Sequence, residues 1–308
     1  MISRSFVYGP VPSRRLGLSL GVSVVPRKTC TIDCIYCQCG RTTRKTLARE
    51  RFYPVAEVLA QVRAAVAGRR VEFITFSGEG EPTLNRDIGR LIRLFKREFT
   101  IPVAVLTNGT LLPDPAVRRA LYAADLVVPS LDAADERTFA RVNRHHRDLR
   151  LADIIRGLVT FRRYYRGQLW LEIMLVRGVN DSPEHLVRLR RLAEDIRPDR
   201  VHLNTVVRPP AERRARPLSD DDLTQIQRLF GSRCEVADSP LGRRQGRFRG
   251  DAETAVLELV RRRPVTAADI TRSLGIGPDR LAGVLRGLAR GRKIRRVEFW
   301  GKVFYERA

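Results

Sequence analysis

Apolar residues along the chain cluster in short runs, and segments of helical period lie between them. Positions 18–25 form a β-rich apolar run, and 55–66 repeats apolar residues at helical spacing. The pattern then alternates. Strands are predicted at 71–76, 103–106, 126–131, 169–176 and 201–207; helices at 88–95, 116–122, 154–165, 185–196 and 223–230. Counting the first, this makes six strand–helix units. Such alternation predicts an α/β fold whose parallel sheet has right-handed crossovers. Strands buried on both faces read as continuous apolar runs, as 126–131 does. Six units suit a doubly wound sheet or an incomplete TIM-like (βα)6 barrel. In both, chemistry gathers at the C-terminal ends of the strands.

Those ends carry polar or Gly-rich residues in every unit. The first strand runs into a loop with four cysteines. The second ends in Ser77-Gly78-Glu79-Gly80-Glu81-Pro82-Thr83, the third in Thr107-Asn108-Gly109-Thr110, and the fourth in Ser130-Leu131-Asp132. Arg177 to Asp181 follows the fifth, and His202-Leu203-Asn204-Thr205 closes the sixth, ahead of Arg208-Pro209-Pro210. Each segment alone is ordinary turn chemistry. Their common placement is what points to a site, and Gly78 and Gly80 would let backbone approach a ligand.

Beyond residue 237 the pattern changes. Positions 238–250 hold Pro, three Gly and four Arg, and read as a basic linker. Helices are predicted at 253–262, 267–274 (with Thr266 as N-cap) and 278–290. Segments 293–297 and 302–305 can pair across Trp300-Gly301. Three helices and a hairpin resemble a winged helix-turn-helix, with the third helix as groove reader and Arg280 and Arg286 outward. A peptide-binding or dimerising module fits the same pattern. The expected division is 1–237, a linker at 238–250, and 251–308.

Charge sharpens this picture. The 308 residues hold 58 Lys and Arg against 34 Asp and Glu, a net charge of +24. Only five of the bases are Lys, a skew that coding bias can explain. Such bias does not create an excess of bases over acids, so an anionic partner is expected, nucleic acid first. Residues 238–308 alone carry 17 bases and 8 acids. No apolar run approaches the length of a membrane span, and nothing near Met1 reads as a secretory signal, so a cytoplasmic protein is expected.

Four of the five cysteines, Cys30, Cys34, Cys37 and Cys39, lie within ten residues. An odd, clustered count does not read as a disulfide framework. Cys30, Cys34 and Cys37 have the spacing C-x3-C-x2-C, which lets one loop wrap a soft metal centre and leave one coordination position open. Zinc could use that position for water, or Cys39 could close it, though Cys37 and Cys39 are tighter than the usual zinc pair. An iron–sulfur cluster could use it for a chelating substrate.

This cysteine loop after the first strand, with Tyr36 before its last Cys, and the Gly-Glu-Pro segment after the second strand resemble the radical S-adenosylmethionine (SAM) superfamily. Tyr8 to Gly17, Ser77 to Leu84 and Asn204 to Pro210 resemble more narrowly the bacterial branch related to wyosine tRNA-base synthases. The resemblance spans about residues 8–236. It implies that Cys30, Cys34 and Cys37 hold a [4Fe–4S] cluster whose fourth iron binds SAM. It implies reductive cleavage of SAM to a 5′-deoxyadenosyl radical. Tyr36 would lie beside the adenine, and Ser77, Gly78, Gly80 and Glu81 at the methionine amino end. Thr107, Asn108 and Ser130 would meet the ribose or carboxylate, and Leu203 and Asn204 would border the adenine. A flavodoxin- or ferredoxin-like electron donor is implied as well.

Two departures qualify the resemblance. Glu79 separates two glycines that are usually adjacent. The chain also has no Cys before Cys30, so the second cluster of wyosine synthases is not expected. Those enzymes hold pyruvate on a Lys; here Lys28 and Lys45 are the lysines near the loop. The expected activity is radical modification of an RNA, tRNA-like substrate. The alternatives are a peptide or protein substrate docked by the tail, and, in another class, a zinc-dependent nucleic-acid-binding regulator.

Overall fold

The computed structural model describes residues 5–13, 15–237 and 251–308. The predicted linker at 238–250 lies outside the described residues. Strand β1 (Val7–Ser13) pairs antiparallel with β2 (Gly17–Val22). The cysteine loop follows, tied by a two-residue parallel ladder of β3 (Thr29–Cys30) and β4 (Arg44–Lys45). Then come α1 (Val55–Val66), β5 (Phe73–Phe76), α2 (Ile88–Glu98), β6 (Val103–Thr107), α3 (Pro115–Leu121) and β7 (Leu126–Pro129). The series continues with α4 (Glu136–Asn143), α5 (Leu151–Tyr164), β8 (Gln168–Leu175), α6 (Pro183–Ile196), β9 (Arg200–Thr205), α7 (Asp220–Phe230) and β10 (Cys234–Val236).

The main sheet has the order β1-β2-β5-β6-β7-β8-β9-β10, parallel from β2 to β10. The fold is therefore α/β with a mostly parallel sheet. Seven strands run parallel where the apolar pattern predicts six. The extra one, β10, is three residues long and pairs with β9 from Cys234 opposite Val201.

Period-two alternation sorts the side chains of each strand. In β8, Leu169, Leu171, Ile173 and Leu175 are fully buried under the helices. Trp170, Glu172 and Met174 point to the opposite face. On the helix side, Phe76 stacks on Phe95 at 5.3 Å between ring centroids. On the other face the polar pairs collect: Ser19 Oγ lies 2.6 Å from Thr75 Oγ1, and Asn204 donates to Glu172 at 2.9 Å. One face thus builds the core and the other is left to chemistry.

The C-terminal part comprises α8 (Ala252–Arg262), α9 (Ala267–Leu274), α10 (Pro278–Arg290) and the antiparallel pair β11 (Ile294–Phe299) and β12 (Lys302–Arg307). Thr266 and Asp269 form a reciprocal capping box at the start of α9. Trp300 and Gly301, with φ of 51° and 69°, make the two-residue turn that matches the strand twist of a hairpin. Val256, Ile270, Leu281, Leu288 and Ile294 form a core of their own. This part nevertheless packs on the sheet. Arg208 pairs with Asp269 at 2.9 Å and donates to the Pro264 carbonyl at 2.8 Å. The Arg262 guanidinium sits 4.2 Å above the Tyr8 ring, and Phe299 packs in the cluster of Ile35, Val176 and Val206.

Candidate active site

A cavity of about 370 Å³ opens at the C-terminal ends of the strands. Eleven of the thirteen residues expected at a site line it: Cys30, Cys34, Tyr36, Cys37, Ser77, Gly78, Gly80, Glu81, Thr107, Asn108 and Ser130. Leu203 and Asn204 do not. Leu203 is fully buried in the main core, because the alternation of β9 turns it toward the helices. Asn204 faces the cavity side but stands one residue back, holding Glu172, which does line the wall.

The cysteine loop is shaped by its own backbone and by α4. Cys37 N–H donates to Cys34 O at 3.1 Å, and Gly40 N–H to Cys37 O at 3.2 Å, so the chain coils through consecutive turns. Asp33 and Ile35 N–H donate to the carbonyls of Asn143 and Val142 at the end of α4. Each of the three sulfurs then has a side-chain N–H donor beside it. Lys28 Nζ lies 3.2 Å from Cys37 Sγ, Asn108 Nδ2 3.4 Å from Cys30 Sγ, and Asn143 Nδ2 3.4 Å from Cys34 Sγ. Burial pushes Cys30 up to about 12 and holds Cys34 well above the thiol range, with Asp132 adding to the latter. Cys37 is drawn down to about 6, chiefly by a hydrogen bond from the Cys39 thiol and then by Lys28.

Three soft thiols on one loop, each met by an N–H donor and opening on one cavity, fit a cluster bound through three sulfurs. Among the described residues, no three His, Cys, Asp or Glu side chains are gathered for a single ion, which would sit about 2.3 Å from each sulfur.

The second strand end locks onto this loop. A Cβ on Gly80 would lie 2.3 Å from the Thr29 carbonyl oxygen, so only glycine permits the contact. The next residue, Glu81, donates its N–H to that carbonyl at 3.0 Å. The Glu81 carboxylate is 2 % exposed and accepts four hydrogen bonds: from Thr83 N–H at 3.0 Å, the Thr83 and Thr107 hydroxyls at 2.6 Å each, and Asn108 N–H at 2.7 Å. Burial raises its pKa and these donors oppose the rise. Glu81 therefore fastens two strand ends together, and its lone pairs are largely used by the protein.

Several contributors escaped the sequence reading. Tyr36 OH donates to Asp132, which Asn143 also meets at 2.7 Å; burial raises Asp132 to about 6. Tyr8 is hydrogen-bonded to Ser77 Oγ at 2.7 Å and covered by Arg262. The outer rim is arginine-rich: Arg208, Arg262, Arg263 and Arg272 line it, with Asp269 among them. Burial and then Arg263 push Arg208 down to about 10, still cationic at neutral pH. Four of these rim residues come from the tail. Nothing in the period of α8 and α9 signals that they turn toward the sheet.

These features define an α/β scaffold with three cysteine thiols of one loop lining a cavity at its strand ends. The radical SAM superfamily pattern matches residues 24–190. The chain belongs to the radical SAM superfamily; it is an enzyme, and its cofactors are a [4Fe–4S] cluster and SAM. The zinc-regulator reading gives way to that membership.

The chain is 30 % identical over 311 residues to a UPF0026 protein of Methanocaldococcus jannaschii, covering 98 % of this chain and 95 % of that one. It is 34 % identical over 293 residues to a Brachyspira hyodysenteriae protein named GTPase Obg, covering 94 % of this chain but only 43 % of that longer relative. A dual-specificity RNA methyltransferase RlmN of Geotalea uraniireducens is 31 % identical over 180 residues, 56 % of this chain and 50 % of that one. Among solved structures, TYW1 with a lysine–pyruvate adduct superposes with a TM-score of 0.52 at 18 % identity, over 69 % of this chain and 72 % of that one. That likeness concerns the fold. Among the described residues no helix is long and apolar enough to cross a membrane.

Proposed function

We propose that this chain is a cytoplasmic radical SAM enzyme that modifies an RNA, tRNA-like substrate. In this reading residues 1–237 form a partial TIM-like barrel of six strand–helix units, extended by β10. Residues 238–250 are a linker, and 251–308 a winged helix-turn-helix. Cys30, Cys34 and Cys37 hold the cluster. When bound, the cluster supplies one electron that cleaves SAM and leaves a radical able to take a hydrogen atom from the substrate. Tyr36, Ser77, Gly78, Gly80, Thr107, Asn108 and Ser130 line the space for SAM, with Glu81 fixing the strand ends around it. A flavodoxin- or ferredoxin-like protein supplies the electron.

The observation that carries the RNA reading is the charge of the mouth. Arg208, Arg262, Arg263 and Arg272 line the part of the cavity that the tail covers, with only Asp269 and Glu79 as the carboxylates that act on them among the lining residues. Guanidiniums that outnumber the carboxylates beside them repel each other, and a phosphate neutralises them. The +24 net charge attracts the same partner at long range. Relatives that include an RNA methyltransferase support this reading.

A peptide substrate is the second reading, and one observation favours it. An apolar groove of about 740 Å³ runs between α9, α10 and the hairpin, floored by Ala267, Leu281, Ala282 and Leu285. Crosslinking in cells, followed by identification of the retained RNA or peptide, separates the two. Anaerobically purified protein should contain iron and sulfide and release 5′-deoxyadenosine from SAM under a strong reductant. Cys34→Ala should abolish that release; retained activity would refute the assignment of the three cysteines.

A further inference from the structure

Lys28 is held in a way that a solvated surface lysine is not. It is 6 % exposed, although lysine is among the residues least often buried. Its backbone has φ of 56°, a left-handed conformation that residues with a long side chain seldom adopt. Neighbours impose that conformation. Lys28 N–H donates to the Glu79 carbonyl at 2.7 Å, and the Lys28 carbonyl accepts from Thr43 and Arg44 N–H at 3.1 and 3.0 Å. The geometry turns the ammonium inward, onto Cys37 Sγ at 3.2 Å.

The surrounding charges leave the ammonium to the sulfurs. Glu79, on the second strand end, acts on the ammonium through space, but its carboxylate makes its ion pair with Arg27 at 3.0 Å. Glu81 is occupied by its four donors. Lys45, the other lysine near the loop, is exposed and donates to the Arg144 and His145 carbonyls. Lys28 is thus a cation placed beside a cluster ligand, in a site where Asn108 and Asn143 give the other two sulfurs only neutral donors.

We propose that Lys28 is a positioning residue for the cluster: its ammonium, fixed against Cys37, adds a permanent positive charge beside the iron–sulfur group and makes its one-electron reduction easier. The inference rests on Cys30, Cys34 and Cys37 being the cluster ligands. Reduction adds a negative charge to the cluster, and a nearby cation stabilises the reduced state more than the oxidised one. Hydrogen bonding to the ligand sulfur acts in the same direction.

The test uses the full chain, anaerobically reconstituted, with iron and sulfide counted per chain. The fraction of reduced cluster is read by electron paramagnetic resonance at controlled potential, without SAM. At the wild-type midpoint, Lys28→Met should lower the ratio of reduced to oxidised cluster by about tenfold or more. Lys28→Arg, which keeps the charge, should stay near wild type. A Lys28→Met protein with full iron and an unchanged ratio overturns the proposal. If Lys28→Met loses its iron, Lys28→Arg decides. Iron kept with a wild-type ratio supports the role of the charge, and iron lost from both variants overturns it. A wild-type chain that binds no cluster would instead sink the ligand assignment.

Discussion

At Gly80 two parts of the site touch backbone to backbone. A methyl group there meets the Thr29 carbonyl oxygen at 2.3 Å and Val25 Cγ2 at 2.8 Å. The Thr29 carbonyl cannot swing away, because Thr29 belongs to the ladder that holds Cys30. Gly80→Ala should therefore push the cysteine loop outward. The expected loss is about 1–3 kcal/mol of stability, as for other overpacked sites, together with most of the bound iron. Denaturant unfolding and iron content check both; full iron in this variant would mean that the loop is not seated by this contact. The same geometry accounts for Glu79 between the two glycines. Its carbonyl accepts from Lys28 N–H and its side chain pairs with Arg27, so the extra residue stitches the second strand end to the cysteine loop.

Among the elements, the short helix α9 is the one that docks the tail. Its capping residue Asp269 is shared between the Thr266 N–H and Arg208, at 3.2 and 2.9 Å. Burial works against the Asp269 charge, but Arg208 and the Thr266 N–H outweigh it and hold the carboxyl below its usual range. A carboxyl with a depressed folded pKa stabilises docking at all pH values above its unfolded pKa of about 4. That contribution is lost as pH falls through the lower, folded value. Arg208→Ala should loosen the tail at neutral pH, seen as at least fivefold faster proteolysis within 251–308, and wild type should approach that rate only below about pH 4. Equal rates at neutral pH would show that Arg262 on Tyr8 and Phe299 hold the tail without this pair. The alternation of helices and strands was legible because long, periodic segments such as 151–164 and 168–175 bury one clear face. The pieces that escaped lack that signal. β1 carries Pro10 and Pro12, β10 is three residues long, and α4 begins at a polar Asp135 cap whose Glu-Arg-Thr start reads as loop. At the site, the three cysteines and the glycine segment were legible from spacing. The alternation of β9 turns Leu203 to the helix side, and the run 201–205, buried at every position, does not announce which phase faces the cavity.

For the whole molecule the question is where an excess of positive charge is used. Two arginine sets compete. Arg280 and Arg286 lie on α10, where a groove-reading helix would use them. Arg263 and Arg272 instead line the cavity mouth beside Arg208. Charge on α10 could capture RNA without bringing it near the three sulfurs, whereas charge at the mouth delivers the polymer to the reactive end of the sheet. The mouth is also where arginines outnumber carboxylates and where Arg208 has lost most of its solvent, so a phosphate gains most there. In full-length protein, Arg263→Ala with Arg272→Ala should weaken RNA retention about tenfold and lower the slope of log affinity against log salt by about one to two. Arg280→Ala with Arg286→Ala should change both much less. Release of 5′-deoxyadenosine without substrate should stay within about twofold of wild type in both variants, because in this reading the cluster and SAM are held by the cysteine loop and the strand ends. If the α10 pair dominates, RNA is held on the outer face and the tail must turn to present it. If neither pair matters, the anionic-substrate reading fails, and the apolar groove of α9 and α10 becomes the place to look for a peptide.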